Sequence, residues 1–119
     1  MNVEDFREYC LSLPGARENF PWTDPKSQNL MTFTVGGKWF CLLDLDNKFC
    51  NIKCAPDLVA PLQDEYEGII PAWHMNKKHW ITLKLDSDVL APKVRELVRR
   101  AYDLIVAALP KATRLELNL

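Results

Sequence analysis

Long apolar runs, an excess of one charge and close pairs of cysteine are all missing from this 119-residue chain. No apolar stretch approaches the roughly 20 residues that a membrane-spanning helix needs, and residues 1–5 are acidic where a secretory signal would be basic. The 15 basic and 16 acidic side chains give a net charge of -1, which excludes the uniformly basic surface of a strong nucleic-acid binder. The sequence therefore predicts a cytoplasmic protein with no membrane partner, in which any nucleic-acid contact depends on a local patch.

Metal, redox and catalytic motifs are missing as well. The four cysteines lack the spacing of a zinc ribbon or a redox motif, so we expect them to be reduced thiols buried in the core. No nucleophile elbow, phosphate-binding loop or HExxH helix is present. Glu4, Asp5 and Glu8 are better explained by the dipole of a first helix than by a metal site. We predict no metal, no cofactor and no enzymatic activity.

Periodicity and turn residues predict the elements of the fold. Helices are predicted at residues 3–13, 56–66 and 92–109, and Pro61 is expected to kink or end the second. Strands or extended segments are predicted at residues 30–35, 38–44, 48–53, 69–73 and 81–85, with a loop at 20–29. The tail, residues 111–119, fits either a strand or a short helix. The last helix is predicted to bury an apolar stripe made of Val94, Leu97, Val98, Ala101, Ile105 and Ala108. Together these elements make one α+β domain over residues 1–119, with helices on one side of an antiparallel sheet and the other side open.

The glycine pair Gly36-Gly37 predicts a tight hairpin, and the hairpin fixes which side chains share a face. We expect Phe33 opposite Phe40 and Met31 opposite Leu42, all facing the core. A three-residue turn would then bring Cys50 beside Leu42, whereas a two-residue turn would place Asn51 there and bury an amide. The predicted open face carries Thr32, Thr34, Trp39, Cys41, Phe49, Asn51 and Lys53, joined by Trp80, Thr82 and Lys84 from the last strand.

The densest cluster of functional side chains is the run His74-Met75-Asn76-Lys77-Lys78-His79-Trp80. Lysines at a turn can pair with phosphates, and Trp39 or Trp80 can stack on bases. The alternative is that the lysines only keep the turn solvated and the tryptophans cover the edge of the sheet. His74 and His79 could also approach Cys50 or Cys54 to bind zinc. A histidine ring that bonds a neighbouring carbonyl and fixes the turn is the favoured interpretation.

This run, together with residues 10–16, 51–53 and 101–104, resembles the MmcQ/YjbR-like family. The likeness spans essentially the whole chain, and the pattern His-x-Asn-Lys-x-His-Trp is specific. Ala101 departs from it, because such proteins tend to carry serine before the tyrosine. The resemblance implies a CyaY-like two-layer sandwich, with the N- and C-terminal helices packed on one face of the sheet, and a DNA-binding role. It carries over as candidate positions Lys53, His74, Asn76, Lys77, His79 and Trp80.

Residue chemistry and resemblance together predict a non-enzymatic binding protein. Double-stranded DNA is the first predicted partner, and the alternative is an adaptor for a protein or a small ligand. The predicted nucleic-acid-binding residues are Trp39, Lys53, His74, Asn76, Lys77, Lys78, His79, Trp80 and Lys84.

Overall fold

Six antiparallel strands form one sheet, and helices cover one of its two faces, in the computed structural model, which describes Met1–Leu119. The strands are β1 (Arg17–Asn19), β2 (Leu30–Val35), β3 (Lys38–Asp44), β4 (Phe49–Lys53), β5 (Ile69–Pro71) and β6 (Trp80–Lys84). The helices are α1 (Val3–Ser12), α2 (Pro56–Glu65), α3 (Ala91–Ala108) and α4 (Lys111–Glu116), with a 3₁₀ turn at Pro25–Ser27. The strand order is β1-β2-β3-β4-β6-β5. This arrangement confirms the predicted two-layer α+β architecture.

Helix ends follow the predicted signals. Asn2 caps α1, and its Oδ1 accepts a hydrogen bond of 2.7 Å from the backbone N–H of Asp5. Pro92 lies in the first turn of α3, where its missing N–H costs nothing. Of the two effects predicted for Pro61, ending the helix is wrong, because α2 continues through it to Glu65. None of the helices combines the length and the apolar character that spanning a membrane requires.

The buried stripe of α3 differs from the predicted one at its C-terminal end. Ile105 is only half-buried and Ala108 is exposed. Tyr102 is buried instead, and its hydroxyl donates a hydrogen bond to the carbonyl of Pro14 in the turn after α1. Tyr102 therefore connects α3 to the turn that follows α1.

The hairpin of β2 and β3 contains a β-bulge that shifts the predicted register. Trp39 lies opposite Thr34, but Cys41 rather than Phe40 lies opposite Phe33. Phe40 is the extra residue of the bulge. Phe40 and Cys41 are both fully buried in the core, which corrects the prediction that Cys41 points to the open face.

Beyond the bulge, the phase of β3 is the reverse of the predicted one. Leu43 faces the core, and Leu42 lies on the opposite face, paired with Thr32 and Asn51. The prediction that Leu42 faces the helices is therefore wrong. The buried Asn51 that sequence reasoning had treated as costly is what the structure contains.

The turn after β3 determines the new register. The carboxylate of Asp44 accepts hydrogen bonds from the backbone N–H groups of Asp46 and Asn47 and from the side-chain amides of Asn29 and Asn47. Lys48 adopts a left-handed backbone with φ of 56°. The turn is one residue longer than the predicted one, and β4 begins at Phe49.

One segment gains structure that the sequence did not indicate, one open alternative is decided, and one prediction at the sheet edge is confirmed. β1 forms within a region that carried no strand signal and pairs with β2. The tail folds as α4 rather than as a strand. β5, which contains Pro71, is an edge strand, as expected for a residue that cannot donate to a ladder.

The core lies between the sheet and the helices, and it includes all four cysteines. Cys10, Cys41 and Cys50 are fully buried, Cys54 is nearly so, and all are free. Burial raises the pKa of the Cys41 and Cys50 thiols well above its ordinary value. The prediction of buried structural thiols is confirmed.

Candidate functional site

The face of the sheet away from α1, α2 and α3, here called the second face, is covered at its centre. Its residues Thr32, Leu42, Asn51 and Thr82 are all buried. The loops at 20–29 and 72–79 carry aromatic side chains onto this face. The prediction of an open surface is therefore wrong at the centre of the sheet. There the two loops cover the strands, and the solvent-exposed surface belongs to the loops.

Aromatic pairs attach each loop to the strands. Trp22 meets Trp39 of β3 edge to face, with ring centroids 5.6 Å apart. Trp73 meets Phe49 of β4 in the same way at 5.4 Å. Edge-to-face contacts at these distances are the favoured geometry of aromatic pairs. The two loops are thus packed against the strands by their tryptophans.

Trp73 is also held by its backbone. The side-chain amide of Asn51 donates to the Trp73 carbonyl at 2.7 Å, and the Trp73 N–H donates to the Thr82 hydroxyl oxygen at 2.8 Å. The Thr82 hydroxyl in turn donates to Asn51 Oδ1 at 2.6 Å. These three bonds, here called the Asn51–Thr82 clamp, pair the buried amide and fix the start of the 72–79 loop. Sequence reasoning placed both side chains on this face but missed their role.

Between the two loops lies a cavity of about 310 Å³, here called the tryptophan groove. It is lined by Trp22, Leu30, Trp39, Leu42, Trp73, His74 and Met75. None of these carries a carboxylate, a guanidinium or an ammonium group. Trp73 keeps 41% of its surface exposed at the rim, so an indole face is available to a ligand.

The shape of the 72–79 loop comes from two of the predicted binding residues. Asn76 Oδ1 accepts a hydrogen bond of 2.8 Å from the backbone N–H of Lys78, which closes a turn. The Lys77 ammonium donates to the carbonyl of Ala72 at 3.0 Å. Asn76 and Lys77 therefore build the loop, and Lys78 is left exposed with no ion pair or hydrogen bond from its ammonium.

The two histidines do not form the predicted ring-to-carbonyl turn. His74 is exposed, has a left-handed backbone with φ of 52°, and its ring meets Trp73 edge to face at 4.3 Å. His79 is half-buried, and its carbonyl accepts from the backbone N–H of Cys54 at 2.9 Å. Cys50 lies on the core side of β4, so it cannot join the histidines around a zinc ion. No group of three histidine, cysteine or acidic side chains converges in a metal-binding geometry.

The remaining predicted residues lie at opposite ends of the sheet. Lys53 and Trp80 are paired in the register of β4 and β6, and the Lys53 ammonium lies 5.3 Å from the centre of the Trp80 ring. Trp80 shares a hollow with Trp39 beside the C-terminal half of α3. Lys84 is exposed about 13 Å further along β6, at the usual rise per residue. The nine predicted residues therefore do not form one patch.

Comparison with known proteins places these features in a family. The YjbR family model matches residues 11–104. The Escherichia coli O157:H7 protein YbdF is 35% identical over 110 residues, covering 91% of this chain and 87% of the relative. The Escherichia coli K12 protein YjbR is 26% identical over 115 residues, covering 96% of this chain and 95% of the relative.

Solved structures share the whole fold. A Deinococcus radiodurans protein of the DUF419 domain matches 99% of this chain and 88% of its own, with a TM-score of 0.89 and 33% identity. A Pseudomonas syringae protein matches 87% of this chain and 98% of its own, with a TM-score of 0.74 and 27% identity. The match to the family model over most of its length, together with these relatives, shows that the chain belongs to the YjbR family.

Proposed function

We propose that the chain is a non-enzymatic binding module that holds DNA on the outer surface of the second face. The observation that carries the proposal is the 72–79 loop, which contains two lysines, two histidines and no acidic residue. The Asn51–Thr82 clamp fixes this loop to the sheet. A loop that is already ordered loses little conformational entropy when it binds.

The loop offers two contacts that suit a nucleic acid. Lys78 presents an ammonium with no partner in the protein, which a phosphate can accept. Trp73, a few residues away, presents an exposed indole on which a base can stack. Bases in a duplex are already stacked on each other, so the indole favours a strand with unpaired bases, while the lysine contacts serve both forms.

The number of free cations limits the expected affinity. Lys77 is engaged by the Ala72 carbonyl, and Lys53 lies over the Trp80 ring. Among the predicted binding residues this leaves Lys78 and Lys84 as the lysines whose ammonium groups have no partner. Neutralising two or three phosphates gives weak binding. The affinity falls as salt is added, because the release of counterions from the DNA then contributes less to the binding free energy. DNA binding by this chain is therefore expected to be weak and salt-dependent.

Fluorescence anisotropy with a labelled single strand and the matching duplex tests the proposal. We expect binding at about 50 mM salt that weakens by at least about tenfold at about 200 mM. Lys78→Glu should weaken binding further, whereas Lys111→Glu, an equal change of charge on exposed α4, should not. The proposal fails if neither DNA form binds at low salt or if the two variants behave alike.

A specific feature also favours the second candidate, an adaptor for a small ligand or an apolar protein segment. The tryptophan groove has no charged lining residue, so it suits an uncharged aromatic or apolar group rather than a phosphate. Titration with 2-naphthol, followed by the indole N–H signals of Trp22, Trp39 and Trp73, tests this. Saturable, salt-insensitive shifts that Met75→Glu abolishes would support the adaptor, and unchanged indole signals would reject it.

A further inference from the structure

A separate cavity lies in the other layer of the protein, between α2 and α3. α3 packs on β3 and β4, while α2 packs on β5 and β6, so a gap remains between the two helices. Its floor is the pair Ile52 and Ile81, which lie opposite each other in β4 and β6. The cavity has a volume of about 340 Å³, near the lower end of the roughly 300–1,000 Å³ typical of small-molecule sites.

The walls of this interhelical cavity are apolar. Leu58 and Leu62 lie one turn apart on α2, and Leu97 and Leu104 lie two turns apart on α3. Leu104 keeps 38% of its surface exposed. Apolar surface that the fold leaves in contact with water is stabilised when an apolar group covers it.

Two cations stand at the mouth of the cavity, and neither is fully neutralised. The Lys53 ammonium lies over the Trp80 ring, which does not neutralise its charge, and it has no carboxylate within ion-pair distance. The Arg100 guanidinium reaches only Glu96, at 3.7 Å. The one acidic residue of the lining, Asp103, is engaged by Arg99 at 3.1 Å. The cavity therefore combines an apolar interior with a positively charged entrance.

We propose that the interhelical cavity binds a medium-chain aliphatic monocarboxylate. The alkyl chain lies between the leucines of α2 and α3, and the carboxylate lies at the entrance between Lys53 and Arg100. A planar guanidinium matches the two oxygens of a carboxylate, which gives the ligand one orientation. A small ligand is favoured over a partner helix because a helix with its side chains is about 10 Å wide and the cavity is too small to seat one. The site is on the opposite layer from the tryptophan groove and does not depend on DNA binding.

Titration of the whole chain with decanoate, followed by leucine and isoleucine methyl signals, tests the proposal. Saturable shifts are expected at Ile52, Leu58, Leu62 and Leu97. Decanol and decyltrimethylammonium share the alkyl chain but lack the negative charge. We expect both to bind at least about tenfold more weakly than decanoate, the effect of one charge-assisted hydrogen bond.

Two variants and one control make the result specific. Ala107→Trp places a large ring in the cavity from an exposed position of α3 and should abolish the shifts. Arg100→Gln should weaken decanoate about tenfold while leaving decanol unchanged. Arg95→Gln removes the same charge from an exposed position outside the cavity and should have no effect. If Ala107→Trp does not fold, Arg100→Gln alone decides.

Four results of the ligand titrations would overturn the proposal. They are the absence of methyl shifts with decanoate, equal affinity for decanoate and decanol, shifts confined to the tryptophan groove, and equal weakening by Arg100→Gln and Arg95→Gln. Occupation of the cavity by a second copy of the chain would also overturn it. That case would appear in sedimentation velocity as a dimer that Ala107→Trp dissociates.

Discussion

The hydroxyl of Thr82 donates a hydrogen bond to Oδ1 of Asn51 at 2.6 Å, and both side chains are buried beneath the 72–79 loop. Buried polar groups lower stability unless each is paired. Here the remaining polar atoms of the pair are satisfied by the carbonyl and the N–H of Trp73. One cross-strand pair thus both tolerates its own burial and attaches the loop that carries the exposed indole and Lys78.

Replacing Asn51 by alanine should loosen this loop. The Trp73 carbonyl would lose its donor, and the Thr82 hydroxyl would lose its acceptor while remaining buried. We therefore expect the free energy of unfolding in urea to fall by about 2 kcal/mol. Thr82→Val should have a smaller effect, and the double variant should show a coupling of about 1 kcal/mol between the two sites. Hydrogen exchange of the Trp73 amide should become faster in each variant.

A matched control separates the clamp from the general effect of losing an amide on the second face. Asn19 also bonds a threonine, with its Nδ2 3.1 Å from Thr34 Oγ1, but it is exposed. Asn19→Ala should lower the free energy of unfolding by only about 0.5 kcal/mol. Unchanged protection of the Trp73 amide in Asn51→Ala would show that the loop is held by its aromatic contacts alone.

The turn after β3 should make stability depend on pH through Asp44. Burial alone would raise the pKa of this carboxyl, but hydrogen bonds from Asn47, Asn29 and Asp46 outweigh burial and hold the pKa below its ordinary value. A lowered pKa in the folded state means that the unfolded state binds the proton more tightly. The stabilisation is therefore present at neutral pH and is lost as pH falls through the pKa of folded Asp44.

Asp44→Asn tests this assignment by urea unfolding at several pH values. Asn29 Nδ2 and Asn47 Nδ2 donate to different oxygens of Asp44. An amide has only one oxygen, so its NH₂ group would face one of these donors, and we expect a loss of about 2 kcal/mol at pH near 7. The difference from the unsubstituted chain should shrink as pH is lowered below about 4, where the carboxyl of the unfolded chain protonates. Asp46→Asn, at an exposed neighbour, should change little. A difference that does not vary with pH would contradict the ionised role of Asp44.

Local signals determined much of the fold. The cap at Asn2, the proline near the start of α3 and the glycine pair between β2 and β3 each act through the backbone of a few neighbouring residues, so the sequence displays them directly. The register of β3, by contrast, is not determined by a local signal of this sort. Phe40-Cys41-Leu42-Leu43 is an uninterrupted apolar run, and an apolar run contains no polar residue to mark which side faces water. The hydrophobic pattern therefore predicts neither the bulge at Phe40 nor the reversed phase after it.

The hydrogen bonds of Asn51 and Lys77 could not be predicted from the sequence for a related reason. Sequence reasoning treated a buried Asn51 as a cost because its partner, the Trp73 carbonyl, lies 22 residues away in the chain. Lys77 was predicted to bind phosphate because nothing local shows that its ammonium reaches the Ala72 carbonyl. Residue types drew attention to the 72–79 loop, but only the tertiary contacts separate Asn76 and Lys77, which build the loop, from Lys78, whose ammonium has no partner.

The glycine turn between β2 and β3 offers a comparison of two adjacent positions. Gly36 and Gly37 both have left-handed backbones, with φ of 59° and 77°. A Cβ on Gly36 would lie 2.8 Å from the Leu109 methyl carbons, whereas a Cβ on Gly37 would meet nothing within 4 Å. Both alanine variants therefore strain the backbone, but only the first also crowds the residue that follows α3.

Gly37→Ala should lower the free energy of unfolding by about 1 kcal/mol, the cost of a left-handed alanine. Gly36→Ala should cost at least about 1 kcal/mol more, because buried Leu109 must move. The decisive measurement repeats both substitutions in a Leu109→Ala background, where the crowding is gone and the two costs should become equal. If Gly36→Ala remains the more harmful variant there, the excess comes from the turn backbone itself, and the contact between the turn and the end of α3 contributes nothing to it.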